Sequence, residues 1–390
     1  MSSSVAANIE PQQFSSTEDW DESGLELELD DPDATISDPF DPEQVKIHTV
    51  NIVVAQMIER IEHGEIELAP DFQRHSGIWS AEGKSRLIES LLLRIPIPVF
   101  YVAADRNEVW SVVDGVQRMS TIYNFVTDQF SLEKLQYLTQ LHGCRHTDLS
   151  RPLQRRISET QLIVNVIQPG TPEEVMFNIF LRINTGGEPL RGQEIRHALN
   201  SGPVRNYLKE LAGSPEFLEA TAGSITPSRM ADRECVLRFL AFYIDPPEKY
   251  TASDLDGYLG RAMKKINGMT SAERSQYDAD FRKAMRAAHG IFGEQAFRKP
   301  PGESGRRRPI SKALFEAWSV HLASCSSSEI ESLIAQRGRI EPRFRKLMEE
   351  DSDFDNAISY GTSAPWRVQK RFQAIKQLVE EFIQCSAPSN

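Results

Sequence analysis

The segment Val109-Trp-Ser-Val-Val-Asp114-Gly115-Val116-Gln117-Arg118 gathers an acid, a glycine, an amide and a guanidinium at the end of an apolar run. The first N–H groups of a helix have no partner inside the helix, and its dipole favours negative charge there. A helix opening just after Asp114–Gly115 therefore offers a seat for a phosphate, with Arg118 supplying a charge-assisted, bidentate contact. Asp114 can then hold a divalent metal or orient a water, and Gln117 can position a water or a phosphate oxygen. The same spacing fits an ordinary capping pair, with Asp114 as N-cap and Gln117 at the third helical position, and on spacing alone that is the simpler reading.

Two further segments carry compatible chemistry. Pro70-Asp-Phe-Gln73-Arg74 is a Pro-led polar loop, and Phe180-Leu-Arg182-Ile-Asn184-Thr185-Gly186-Gly187 couples a helical arginine to a Gly-Gly turn. Gly-Gly permits close backbone approach to a ligand, and Arg, Asn and Thr are all competent to bind phosphate. Gly77 to Ser85 only superficially resembles a phosphate loop, because five residues separate its glycines and no buried strand leads into it. His142, Cys144 and His146 offer three zinc-type ligands within five residues with no fourth nearby, so a polar loop is expected there.

The elements that must position these residues follow from periodicity. Val50, Val53, Met57 and Ile61 mark a helical stripe, and Ser80 caps a helix to about Arg94 that buries Leu87, Ile88, Leu91 and Leu92. Val99–Val102, Val109–Val113 and Leu162–Ile167 read as strands. A helix follows Gly115 as far as Phe125, another covers Pro172–Arg182, and a third opens at Pro189. Beyond about residue 200 the patterns are helical, clearest at Cys235–Tyr243, Leu255–Ile266, Tyr277–Phe292, Ile310–Leu322 and Trp366–Ile383. The fold class expected is α+β: a small mixed sheet over 45–200, then a mainly helical domain over 201–390.

Composition bounds the function. The chain has 390 residues, 40% hydrophobic and 26% charged, which excludes collagen-like, wholly disordered and membrane-embedded classes. No apolar run approaches the ~20 residues of a membrane helix. Met1–Asn8 has no basic residue and no apolar stretch behind it, and four scattered cysteines form no secreted framework, so a cytoplasmic location is expected. The net charge of −12 belongs to the start of the chain: residues 1–45 hold thirteen acids and no Lys or Arg, leaving 43 acids against 44 bases elsewhere. Residues 1–44 are accordingly read as an acidic disordered tail, suited to solubilisation or to covering a basic surface. Basic clusters at Arg306–Arg308, Arg337–Lys346 and Arg367–Arg371 are candidate contacts for nucleic acid.

Taken together, Pro70–Arg74, Trp79 with Leu87–Leu92, Ile95-Pro-Ile-Pro98, Asp114–Arg118 and Phe180–Gly187 resemble, in the right order, the N-terminal domain of GmrSD-type restriction endonucleases, of the ParB/sulfiredoxin-like superfamily. The resemblance covers about residues 45–200. It implies a Mg²⁺-dependent nucleoside triphosphatase acting in restriction of foreign or modified DNA. Asp114, Gln117 and Arg118 would be the catalytic residues, with Asp114 on the metal, and Gln73, Arg74, Gly115, Arg182, Asn184 and Thr185 would contact nucleotide. Relatives often carry a double Gln before the Arg, where this chain has Val116–Gln117. Nucleoside triphosphate, DNA and a separate nuclease subunit are the partners implied; no membrane is. The paired His residues of the family's C-terminal nuclease domain are missing after residue 200, where only His289 and His321 occur, so a self-contained nuclease is not expected. Two alternatives stay open: a non-catalytic DNA-binding or regulatory module switched by nucleotide, and a ParB-like DNA nickase.

Overall fold

The computed structural model describes residues 23–28, 45–68, 79–105, 107–183, 191–251, 253–301 and 307–384. Its first unit is a five-stranded mixed sheet. The strands are β1 (Ile47–Val53), β2 (Ile66–Glu67), β3 (Phe100–Ala104), β4 (Trp110–Asp114) and β5 (Gln161–Ile167), in the spatial order β1-β5-β3-β4-β2. β1 runs antiparallel to β5, β5 parallel to β3, β3 antiparallel to β4, and β4 parallel to β2.

Alternation along these strands makes two buried faces. Phe100, Val102, Val112, Leu162 and Val164 point to one, where α1 (Val54–Glu62), α2 (Ala81–Leu92), α3 (Val116–Val126) and α4 (Arg151–Ser158) cover them with Met57, Ile88, Leu92, Met119, Ile122 and Ile157. Val113 and Ile167 point to the other, under Phe177, Phe180 and Ile195 of α5 (Glu173–Ile183) and α6 (Gly192–Leu199). Ser80 caps α2 as expected, its hydroxyl accepting from the Gly83 N–H at 3.1 Å.

The helix expected over Val50–Ile61 begins only at Val54. Its first part is β1, because Ile47, Thr49, Val50, Ile52 and Val53 are β-branched and pair with β5 in the register Val50 opposite Val164. α6 starts at Gly192, and Pro189, where the sequence places a helix start, lies outside the described residues.

The second unit consists, among the described residues, of α7 (Pro203–Ala212), α8 (Pro215–Ala220), α9 (Ala231–Ile244), α10 (Leu255–Gly268), α11 (Ser271–Phe292), α12 (Lys312–Ser324), α13 (Ser327–Ala335), α14 (Arg337–Glu350), α15 (Ser352–Ser359) and α16 (Pro365–Gln384). They share one core, with Phe239, Phe242, Phe281, Phe315 and Phe354 fully buried. No helix among the described residues is long and apolar enough to cross a membrane.

Charge joins the two units. Arg196 of α6, 3% exposed, meets Asp256 at the start of α10 and lies 3.8 Å from Glu234 of α9, while Arg205 of α7 reaches Glu67 of β2 at 2.9 Å. The basic clusters of the helical unit are largely paired internally: Arg343 with Glu381, Lys346 with Glu350 and Lys370 with Asp351.

One expectation fails locally. Residues 23–28, inside the stretch read as a disordered tail, lie extended against the helical unit, with Leu25 only 1% exposed. The apolar Leu25 and the carboxylates of Glu26 and Glu28 all find partners there, which composition alone does not reveal. The rest of 1–44 lies outside the described residues.

Candidate functional site

β4 ends at Asp114 and α3 begins two residues later, so the whole turn is Gly115. This residue is the helix N-cap, in the left-handed region at φ +96°. A side chain would be excluded twice, by that dihedral and because an added Cβ would come within 2.4 Å of the Phe100 ring. No side chain caps α3, so its first N–H groups, at the end of β4, have no acceptor among the described residues. The capping pair is thereby ruled out: Asp114 precedes the N-cap, and Gln117 is the second helical residue, not the third.

Asp114 is instead paired with Arg118, at 2.6 Å between Oδ2 and Nη2. The rest of the guanidinium is committed to main chain. Nη1 donates to the carbonyls of Pro98 and Val99, Nη2 also reaches Val99 O at 3.2 Å, and the plane lies 4.6 Å from the centre of the Phe100 ring. Burial lowers the Arg118 pKa from its ordinary value, with Asp114 opposing that shift. The group stays a cation, and its hydrogen bonds brace the turn against the entry to β3.

Pro96 and Pro98 explain why those carbonyls are available. Proline gives the segment no N–H and holds it extended, so the main-chain acceptors just before β3 remain for a side-chain donor.

β2 runs parallel to β4, with Glu67 opposite Ser111, so the chain leaving β2 toward Gln73 and Arg74 departs at the Asp114 end of the sheet. Gln73 and Arg74 lie outside the described residues, as do Asn184 and Thr185. Arg182 sits exposed in the last turn of α5. No hydrogen bond or ion pair among the described residues joins it to the turn. The structure thus brings together Asp114, Gly115, Gln117 and Arg118 and adds Pro98, Val99 and Phe100.

Residues 54–200 match the family model for the GmrSD restriction endonuclease, N-terminal domain. This segment is a GmrSD-type N-terminal domain. No curated protein and no solved structure matches the chain. The GmrSD-type domain begins with α1 and ends with α6, and β1, just outside the matched segment, completes its sheet.

A carboxylate inside the domain supports the loop that follows α3. Glu89 of α2, 4% exposed, accepts N–H bonds from Gln136, Tyr137 and Leu138 at 3.1, 2.7 and 2.8 Å. Those bonds hold its pKa below the ordinary carboxylate value although burial alone would raise it. This role of Glu89 leaves no mark in the sequence, since a lone acid on a helix carries no sign of three distant amides. Among the described residues no group of three or more His, Cys, Asp or Glu is placed to hold a metal ion.

Proposed function

We infer that the GmrSD-type domain binds a nucleoside triphosphate at the Asp114–Arg118 turn and hydrolyses it with Mg²⁺, within a restriction system acting on foreign or modified DNA. The observation that carries this reading is the uncapped start of α3 behind left-handed Gly115. It presents main-chain donors at a strand end, beside the only carboxylate–guanidinium pair of the turn.

The residues fit a magnesium ion sparingly. Asp114 would hold it through the carboxylate oxygen not bound to Arg118, with phosphate oxygens and waters as the other ligands, as Mg²⁺ accepts. Bound there, the ion would neutralise charge on the transferring phosphoryl group. Gln117 would orient the attacking water or a phosphate oxygen. Arg118 would reach the phosphates by exchanging its bond to Asp114, keeping those to Pro98 and Val99. Gln73, Arg74, Arg182, Asn184 and Thr185 would close the site from the neighbouring loops. The location we infer is cytoplasmic, with DNA and a separate nuclease subunit as partners.

A second reading is favoured by one feature: Asp114 is already neutralised by Arg118, which suits a nucleotide switch that binds without turnover. Phosphate release from each of the four triphosphates with Mg²⁺, with and without DNA, separates the two. The informative variant is Gln117→Glu, which keeps the shape, favours the helix start and puts a negative charge where the phosphates would sit. Turnover lost in Gln117→Glu supports the enzyme. Binding without turnover, weakened in the same variant, supports the switch, and binding that ignores the substitution removes the turn as the site.

A further inference from the structure

Residues 23–28 are held to the helical unit as a bound peptide would be. Leu25 forms a parallel bridge with Ile310; the Ile310 N–H donates to Gly24 O at 3.4 Å, the Glu26 N–H to Ile310 O at 2.9 Å, and the Thr226 N–H to Ser23 O at 3.0 Å. Gly24 takes φ +80°, with the Ser224 carbonyl oxygen 2.0 Å from where a Cβ would stand, so the turn into this pairing requires glycine. Leu25 is buried in the helical core.

The carboxylates provide the selectivity. Glu28 takes a bidentate contact from Arg238 at 2.9 and 2.6 Å, lies 3.3 Å from Lys312 and accepts from the Thr362 hydroxyl at 2.8 Å, while Glu26 pairs with Lys299. Without this segment, among the described residues, Arg238 would keep only Glu234 and Glu316, which is shared with Arg371, and Lys312 only Glu234. Lys299 would lose its carboxylate partner. The helical unit alone is therefore a cation-lined groove with an open main-chain edge at Ile310. Its complement is an extended chain that buries one leucine and places acids one and three residues later.

We propose that the helical unit carries a binding groove for an extended acidic peptide, that residues 23–28 are its resident intramolecular occupant, and that a second segment of the same pattern exchanges with it. The attachment is small: one buried leucine, a few main-chain bonds and two carboxylates. Such a contact persists because only the eighteen residues 29–46 separate it from β1 in the same chain, which sets an effective concentration on the order of millimolar. Exchange would be felt in the GmrSD-type domain, because Glu234 ties the Arg238–Lys312 pair that holds Glu28 to Arg196 of α6.

The test uses the full-length protein and a dye-labelled peptide of residues 21–30. The natural protein should bind it at least roughly tenfold more weakly than the release variant Leu25→Ser/Glu28→Gln, whose own segment no longer competes. Binding by the release variant should vanish when Lys312→Glu is added. Independently of any variant, hydrogen exchange of the Ile310 amide in the natural protein should be faster than in the core of α12 and should accelerate with salt. Equal peptide affinity for natural and release forms would overturn the proposal. So would an Ile310 amide that opens only when the whole helical unit unfolds, which would make the segment a permanent strand; this outcome decides the matter even if the release variant does not fold.

Discussion

Asp114 and Arg118 stand 2.6 Å apart, one turn from each other across the start of α3, and each satisfies the charge of the other. The turn is thus electrostatically closed, and a triphosphate bound there as proposed would have to compete with Asp114 for the guanidinium. Asp114→Asn should tighten binding of metal-free triphosphate by roughly three- to tenfold, the scale of about 1 kcal/mol for a charged hydrogen bond traded for a neutral one, and should abolish any gain from Mg²⁺. Titration calorimetry with and without EDTA checks both halves. Weaker metal-free binding in the variant would mean that Arg118 never turns toward the phosphates.

Gly115→Ala tests the geometry rather than the charge. The alanine would be strained at φ +96° and would press on Phe100, so the domain should lose about 1–3 kcal/mol and the Arg118 contacts should loosen. Because the clash is with one ring, adding Phe100→Leu should recover part of that loss, and urea unfolding of the single and double variants measures it.

The strand, glycine and helix of Val109–Phe125 are readable in the sequence because apolar alternation and a punctuating Gly fall within one short window. The start of α1 is misread for the opposite reason: Val50, Val53, Met57 and Ile61 happen to fit a helical period, while the strand β1 is fixed by β5, 116 residues away at the Thr49–Asn165 bond. The partners of Arg118 are invisible beforehand because main-chain carbonyls have no residue type. The docking of Glu28 is hidden as well, since its acidic surroundings read as disorder and its partner Arg238 lies 210 residues further on.

Glu89 should be a stability residue with a local signature. Glu89→Ala leaves three loop amides without an acceptor in a buried place, at a cost of about 2–4 kcal/mol. Hydrogen exchange should accelerate first at Gln136–Leu138, with α16 unaffected. Glu89→Gln keeps one carbonyl acceptor and should cost roughly half as much.

Acid should release the 23–28 segment before the rest of the helical unit unfolds. Burial would raise the Glu28 carboxyl, but Arg238 and Lys312 override it and hold its pKa at about 2 against an ordinary 4.5. A depressed carboxyl stabilises the fold above its unfolded value and loses that contribution as pH falls through the folded one. The contribution of Glu28 to holding the segment should therefore be complete above pH 4.5 and lost between there and about pH 2, with on the order of 3 kcal/mol disappearing over that window. Exchange of the Glu26 and Ile310 amides, followed by mass spectrometry from pH 6 downward, reports the release. In Glu28→Gln the same amides should exchange faster already at pH 6, and their protection should no longer fall across that window.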